Sequence, residues 1–425
     1  MNILFYTLGC KVNQYETEAM REALLNMGHT SDKKEICDAI IINSCTVTAE
    51  SDRKTRQLVR RLRRTFPSAV IALTGCMVQA FPEEAKNLTQ ADIVIGNRDV
   101  SKVIDAITKY SGEKIFEINP HQNGDLYNTI GLSHFNERTR AFMKIQDGCD
   151  RFCTYCIIPF ARGRVRSRAI EDIKQEAQRL ANNGFCEIVL VGINLTSYGK
   201  GEDFDLCDAI DAVCDVDGIK RVRLGSLEPD HITDDMLRKM KAQPKFCPQF
   251  HLSLQSGCDA TLKRMNRHYD SAFYADLVKR IRATFTDAAI TTDIMVGFAG
   301  ETDEEFDQNL NFAKEIGFAR AHIFAYSRRK GTIAAELKSQ IDNATKEKRA
   351  RLMADVTKET EKQFLNSQVG NTYPVLFETQ ENGCNEGYTP NYTRVIVEGQ
   401  KALTGQIWDV LITSAHDDYC VGQVV

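Results

Sequence analysis

Cys149, Cys153 and Cys156 stand within eight positions of one another in "AFMKIQDGCDRFCTYCIIPFARGRVRSR" (141–168), a Cys-x3-Cys-x2-Cys spacing. Three thiolates this close form a soft-metal donor set. A structural zinc site takes four protein ligands, usually from paired Cys-x2-Cys elements, and no second pair follows. A thioredoxin-like redox pair would account for Cys153 and Cys156 and leave Cys149 without a purpose. A cubane cluster has four irons, so three cysteines hold it and leave one iron open to an outside ligand. The spacing therefore predicts an open-site iron–sulfur cluster. A second set is spread through the first 76 residues. Cys10 follows "ILFYTLG", Cys45 follows "AIIINS" and Cys76 follows "AVIALTG". Each sits just past the end of an apolar, strand-like run, which predicts a second three-cysteine site.

The surrounding elements explain how such residues would meet. Runs at 3–9, 38–44, 68–75 and 91–96 alternate with helical patterns at 16–28 and 50–65, which predicts a doubly wound parallel α/β domain over 1–118. Its strand ends would converge on one crevice. Residues 119–136 are polar and turn-rich, and read as a linker. From 137 to 366, six strand candidates (142–146, 187–192, 221–226, 249–255, 290–297 and 320–326) are separated by helical stretches. That pattern predicts a partial (βα)6 barrel resembling the TIM type, with the three-cysteine motif on its carboxyl-end rim. A charged helix at 344–366 leads to residues 367–425, whose short strands predict a small OB-like β-barrel.

Composition narrows the class. The chain has 425 residues, 43% of them hydrophobic, enough for several cores. No targeting segment and no membrane-length apolar run is evident, so a soluble, cytoplasmic protein is expected. Fourteen cysteines in such a chain favour metal or redox chemistry over disulfides. Cys37, Cys186, Cys207, Cys214, Cys247, Cys258, Cys384 and Cys420 sit alone among apolar or mixed neighbours and read as ordinary packed residues.

The barrel motif resembles the radical S-adenosylmethionine (SAM) superfamily. The resemblance implies a [4Fe-4S] cluster on Cys149, Cys153 and Cys156 whose open iron takes the amino and carboxylate groups of SAM. It also implies cofactor contacts: Tyr155 against the adenine, Gly192 and Asn194 at the methionine amine, Ser253 and Gln255 at the ribose. The backbone of "IMVGFAGET" at Gly297 would approach the adenine. With a second triad at Cys10, Cys45 and Cys76, the whole chain resembles the methylthiotransferases, whose third domain is the β-barrel called TRAM. That resemblance implies a second [4Fe-4S] cluster and two uses of SAM, one giving a methyl group to sulfur and one giving a radical. An unactivated C–H bond cannot be deprotonated near neutral pH, so a radical cofactor must carry the step.

"TLGCKVNQYETE" (7–18), "INSCTVTAESDRKTRQ" (42–57) and "LTGCMVQ" (73–79) look most like the branch acting on N6-threonylcarbamoyladenosine (t6A), next to the anticodon of tRNA. Isopentenyladenosine in tRNA and a ribosomal-protein aspartate are the alternative substrates, and a cluster carrier without catalysis is the non-enzyme alternative. Arg53, Lys54, Arg56, Arg60, Arg61, Arg63 and Arg64 fall within 53–64, a stretch of one predicted helix that has no acid, which predicts a surface for the anticodon stem-loop. After the cluster motif come Arg162, Arg164, Arg166 and Arg168, candidates to clamp the cofactor carboxylate or RNA phosphates; of these Arg166 and Arg168 are assigned to the cofactor. Residues 367–425 hold seven acids against Arg394 and Lys401, a poor balance for phosphate binding. An electron donor and a sulfur source are implied as partners.

Overall fold

The computed structural model describes residues 1–32, 37–128, 130–135, 139–399 and 401–425. The boundary read at 136 and 137, between linker and central domain, lies outside them. The N-terminal sheet comprises β1 (Ile3–Thr7), β2 (Ala39–Ser44), β3 (Val70–Gly75), β4 (Ile93–Ile95) and β5 (Ile115–Glu117), all parallel and in sequence order. β2 and β3 are continuous apolar runs because both faces are covered. Ile40, Ile42 and Leu73 pack against Val59 and Leu62 of helix α2 (Ala49–Thr65). Ile41, Ala72 and Ile93 pack against Met20 and Leu24 of α1 (Lys11–Asn26). Helices on both faces match expectation. The order has no reversal, however, so the three cysteine-bearing strand ends meet because β1, β2 and β3 are neighbours, not at a switch point.

In the central domain six parallel strands form an open barrel: Arg140–Lys144, Glu187–Val191, Arg221–Leu224, Gln249–Gln255, Ala289–Val296 and Arg320–Ala325. The first three and the last three pair in sequence order. The third strand breaks at Gly225 and resumes as Ser226–Leu227, which pairs with the fourth. One break thus joins the two half-sheets into a curved wall. Along the last three strands the side chains alternate. Leu252, Leu254, Ile290 and Ile294 enter the core, whereas His251, Ser253, Asp293 and Met295 are only half-buried on the other face.

The stretch read as a loose linker is strapped down. Leu132 and Phe135 join the central core, and the Tyr127 hydroxyl donates to the Lys144 carbonyl at 2.6 Å. Helix Asn343–Ser367 leads to a closed five-stranded barrel. Its acidic balance serves docking in part. Glu378 pairs with Arg140, while Arg223 donates to the carbonyls of Thr389 and Pro390 at 3.2 and 2.8 Å. Among the described residues, no helix is long and apolar enough to cross a membrane.

Candidate functional site

The N-terminal triad is assembled by tight turns. Gly9 has φ +107°, and a Cβ there would lie 2.7 Å from Cys45 Cβ and 2.9 Å from its Sγ, so only glycine lets the turn before Cys10 rest on Cys45. Asn13 binds these turns together. Its amide donates to the carbonyls of Leu8 and Ser44 at 2.8 and 3.0 Å, and its Oδ1 is 4.0 Å from Cys76 Sγ. Cys45 and Cys76 are buried and Cys10 is exposed. Burial, chiefly, pushes the Cys76 thiol up to about 12; Arg162 pulls the other way, and Cys45 and Cys10 add to the rise.

Arg162, fully buried at the end of helix Ile158–Arg162, ties this triad to the central domain. Its Nε lies 3.1 Å from Cys76 Sγ, its Nη2 donates to Asn13 Oδ1 at 2.6 Å and Glu16 Oε2 at 2.9 Å, and its Nη1 pairs with Glu16. Lys144 Nζ adds ion pairs to Glu16 at 2.7 Å and Asp147 at 2.6 Å. Arg162 is therefore an interdomain anchor rather than a clamp for a cofactor carboxylate.

The second triad lies on the loop after the first barrel strand. Burial first, and neighbouring thiolates after it, push Cys149 up to about 11 and Cys156 up to about 12. A cationic iron–sulfur core bound here would offset that repulsion, because metal-bound thiols are deprotonated. Arg267 Nη1 lies 3.2 Å from Cys153 Sγ, and Asn194 Nδ2 lies 3.9 Å from Cys149 Sγ. Among the described residues no group of three His, Cys, Asp or Glu closes on a single metal ion. A cubane does not require one, since each thiolate takes a different iron. The donor set fits the cluster.

Three of the predicted cofactor residues lie on or beside this loop: Tyr155 belongs to it, Asn194 contacts Cys149, and the Ser253 carbonyl accepts from Arg267 at 3.1 Å. Tyr155 packs edge-on against Phe298, centroids 6.2 Å apart. Gly192 has no room for a side chain: its Cβ would fall 2.7 Å from Gln146 Oε1, which also accepts from Asn194 N at 2.8 Å. Ser253 and Gln255 end the fourth strand, where the register shifts and Gln255 adopts φ 67°. Gly297 has φ +67°, and its N–H donates to buried Glu301 at 2.6 Å. Arg168 is spent elsewhere, on Glu176 at 2.8 Å, and Arg166 donates to the carbonyls of Arg162 and Arg164 at 2.9 and 3.0 Å. The two hold loops together, contrary to the sequence reading.

A cavity of about 660 Å³ joins the parts, with walls from all three domains. Cys10 and Lys11 enter from the first domain, Gly192 and Gly225 from the barrel rim, and Tyr392 from the third domain. His251, Asp293, Arg320 and His322 line its inner wall and had not been singled out in the sequence. Their signal was an alternation of polar residues along apolar strands.

On α2, Arg53, Lys54, Arg60, Arg61 and Arg64 are exposed. Arg56 leans toward Glu84 at 3.5 Å, and Arg63 is engaged with Asp92 and with the Pro67, Ala69 and Gln90 carbonyls. Only part of the basic stretch is thus open to solvent.

Residues 2–96 match Uncharacterized protein family UPF0004, 143–313 the Radical SAM superfamily, and 366–425 the TRAM domain. The central match carries with it a [4Fe-4S] cluster and SAM as cofactors. The chain is 37% identical to the threonylcarbamoyladenosine tRNA methylthiotransferase MtaB of Bacillus subtilis (strain 168), over 100% of this chain and 96% of that protein. It is 35% identical to the tRNA-2-methylthio-N(6)-dimethylallyladenosine synthase of Pelotomaculum thermopropionicum, over 97% of this chain and 95% of that protein. In fold it resembles the radical SAM methyltransferase TsrM from Kitasatospora setae, with TM-score 0.57 and 12% identity over 79% of this chain and 77% of that one. Three domains in this order, and full-length identity to methylthiotransferases, establish that the chain belongs to the radical SAM methylthiotransferase family.

Proposed function

We propose that this enzyme inserts a methylthio group at C2 of t6A, next to the anticodon in tRNA. The observation that carries the reading is the shared cavity: Cys10 of the first triad and Gly192 of the cofactor rim line one chamber. The name of the Bacillus subtilis relative points to t6A. In this reading Cys149, Cys153 and Cys156 hold one [4Fe-4S] cluster, and Cys10, Cys45 and Cys76 hold a second. Bound together, these groups and SAM would supply the radical that removes hydrogen from C2 and the methylated sulfur that replaces it.

The chain's own residues position that chemistry. Gly192 and Asn194, fixed by Gln146, would present the cofactor amine to the open iron, and Tyr155 would support the adenine. Arg267 and Arg162 place fixed positive charge beside Cys153 and Cys76, where each sulfur would meet iron. The exposed cations of α2 would take RNA phosphates. Reductant and sulfur are supplied from outside the chain, in the cytoplasm.

The test is anaerobic turnover on tRNA carrying t6A, with nucleosides read by mass spectrometry. The expected product is 2-methylthio-t6A. The Pelotomaculum relative favours a second reading, so tRNA carrying isopentenyladenosine is run in parallel. Methylthiolation of that substrate alone would overturn the t6A assignment.

A further inference from the structure

The inner wall of the cavity is built in register across three barrel strands. His251 pairs with Thr291 and Thr291 with Arg320; one row along, Asp293 pairs with His322. Their polar atoms are linked. His251 contacts Thr291 Oγ1 at 3.0 Å through Nδ1 and Asp293 at 3.3 Å through Nε2. The His322 ring lies 5.9 Å from the His251 ring.

Charge on the lining is unbalanced. Lys11, Arg223 and Arg320 face one carboxylate, Asp293. Arg223 is consumed by Glu187 at 2.9 Å, and Asp293 is shared with His251. Arg320 has a loose ion pair with Glu361 at 3.9 Å, and its side chain is 54% exposed. Burial first, against the pull of Asp293, lowers the pKa of His322; His251, Arg320 and Lys11 push the same way as burial. The wall therefore presents one loosely paired guanidinium, that of Arg320, and several hydrogen-bonding groups around a chamber of ligand size.

We propose that this wall is a specificity subsite for the threonyl group of the substrate, with Arg320 binding its carboxylate and the His251–Thr291–Asp293 row and His322 facing its hydroxyl and carbamoyl. The proposal rests on the t6A reading and adds the means of discrimination. An isopentenyl group would offer these polar side chains no partner of its own, and sites built for hydrogen bonding reject analogues that lack the partner. A planar guanidinium also suits a carboxylate better than a point charge does.

The test is equilibrium binding by the reconstituted, unreduced enzyme, so that no turnover intervenes. Four anticodon stem-loops are compared: t6A, its carboxyl methyl ester, isopentenyladenosine and unmodified adenosine. Wild type is expected to bind the t6A loop roughly 10- to 100-fold tighter than the ester or adenosine loops, the worth of a charge-assisted hydrogen bond. Arg320→Gln should abolish that preference, and Arg320→Lys should restore part of it. The preference ratio is a readout that loss of fold would not selectively move. The ester needs no mutation, so the proposal stays testable if a variant misfolds. Equal binding of t6A and its ester by wild type, or an undiminished preference in Arg320→Gln, would overturn the subsite. Wild-type preference for the isopentenyl loop would overturn the t6A reading itself, and the subsite with it.

Discussion

Arg162 shows how much a single side chain carries here. Its guanidinium is shared among Glu16, Asn13, Asp147 and Cys76 without contact with solvent. Burial opposes ionisation of Asp147, yet Lys144, Arg162 and Arg166 hold its carboxyl well below the usual range. Removing one partner from such a network strands the others as buried charges, which costs about 3–5 kcal/mol. Arg162→Ala is therefore expected to lower the urea midpoint of unfolding markedly. An unchanged midpoint would show that the network contributes little. The six cysteines were legible by type and by position after strands, because a thiolate donor set is rare and strand ends are easy to find. Arg162 was not: a sequence gives the charge of an arginine but not its carboxylate partner, here 146 positions away. Arg168 misled for the same reason, since Glu176 claims it within the fold.

Helix α2 is specified locally. The Thr48 side chain accepts from Ser51 N, Glu50 and Asp52 lie in the first turn, and Arg63 and Arg64 in the last, where each sign suits the helix dipole. Its exposed arginines should act on RNA and its engaged one on stability. Charge reversal at Arg60, Arg61 and Arg64 is expected to weaken tRNA binding and to reduce the slope of log affinity against log salt by about 0.7–0.9 for each phosphate no longer neutralised. Arg63→Ala should instead lower thermal stability and leave that slope alone. Equal slopes for wild type and the triple variant would make the helix a solvated face. Elements of this kind were legible where burial left an apolar run, as in "EIVLV" of the second barrel strand. β5, three residues long, and the third-domain strands Cys384–Tyr388 and Cys420–Val424 were not read. "CNEGY" and "CVGQV" each turn one face to solvent, so polar letters break the run. The polar wall of the cavity escaped for the converse reason. His251, Asp293 and His322 alternate with core residues, and the core residues alone were counted as signal.

Across the whole molecule, the third domain is held by charge. Burial raises the pKa of Glu187, but Arg223, Arg140 and Arg221 outweigh it and keep the carboxyl below its ordinary value. A depressed carboxyl stabilises above its unfolded value, near 4.3, and that contribution is lost as pH falls through the folded one. Arg221 and Arg223 also grip third-domain carbonyls, so acid should loosen this docking. Small-angle scattering is expected to show expansion below about pH 4, and Glu187→Gln should show it at higher pH. Identical profiles for the two proteins would exclude Glu187 as the anchor. The two triads should come apart functionally. With Cys10, Cys45 and Cys76 all replaced by Ala, reconstituted iron is expected to fall by half and the methylthio product to vanish, while 5′-deoxyadenosine still forms. A variant that makes the product would refute the role of the first triad. The Arg162 bridge has a mechanical consequence as well. Cys76 at one end, and Asp147 at the root of the loop bearing Cys149, Cys153 and Cys156 at the other, belong to one bracket of buried ion pairs. The two cysteine sets are thereby braced through a shared frame, and a change at Glu16 should be felt at both ends of it.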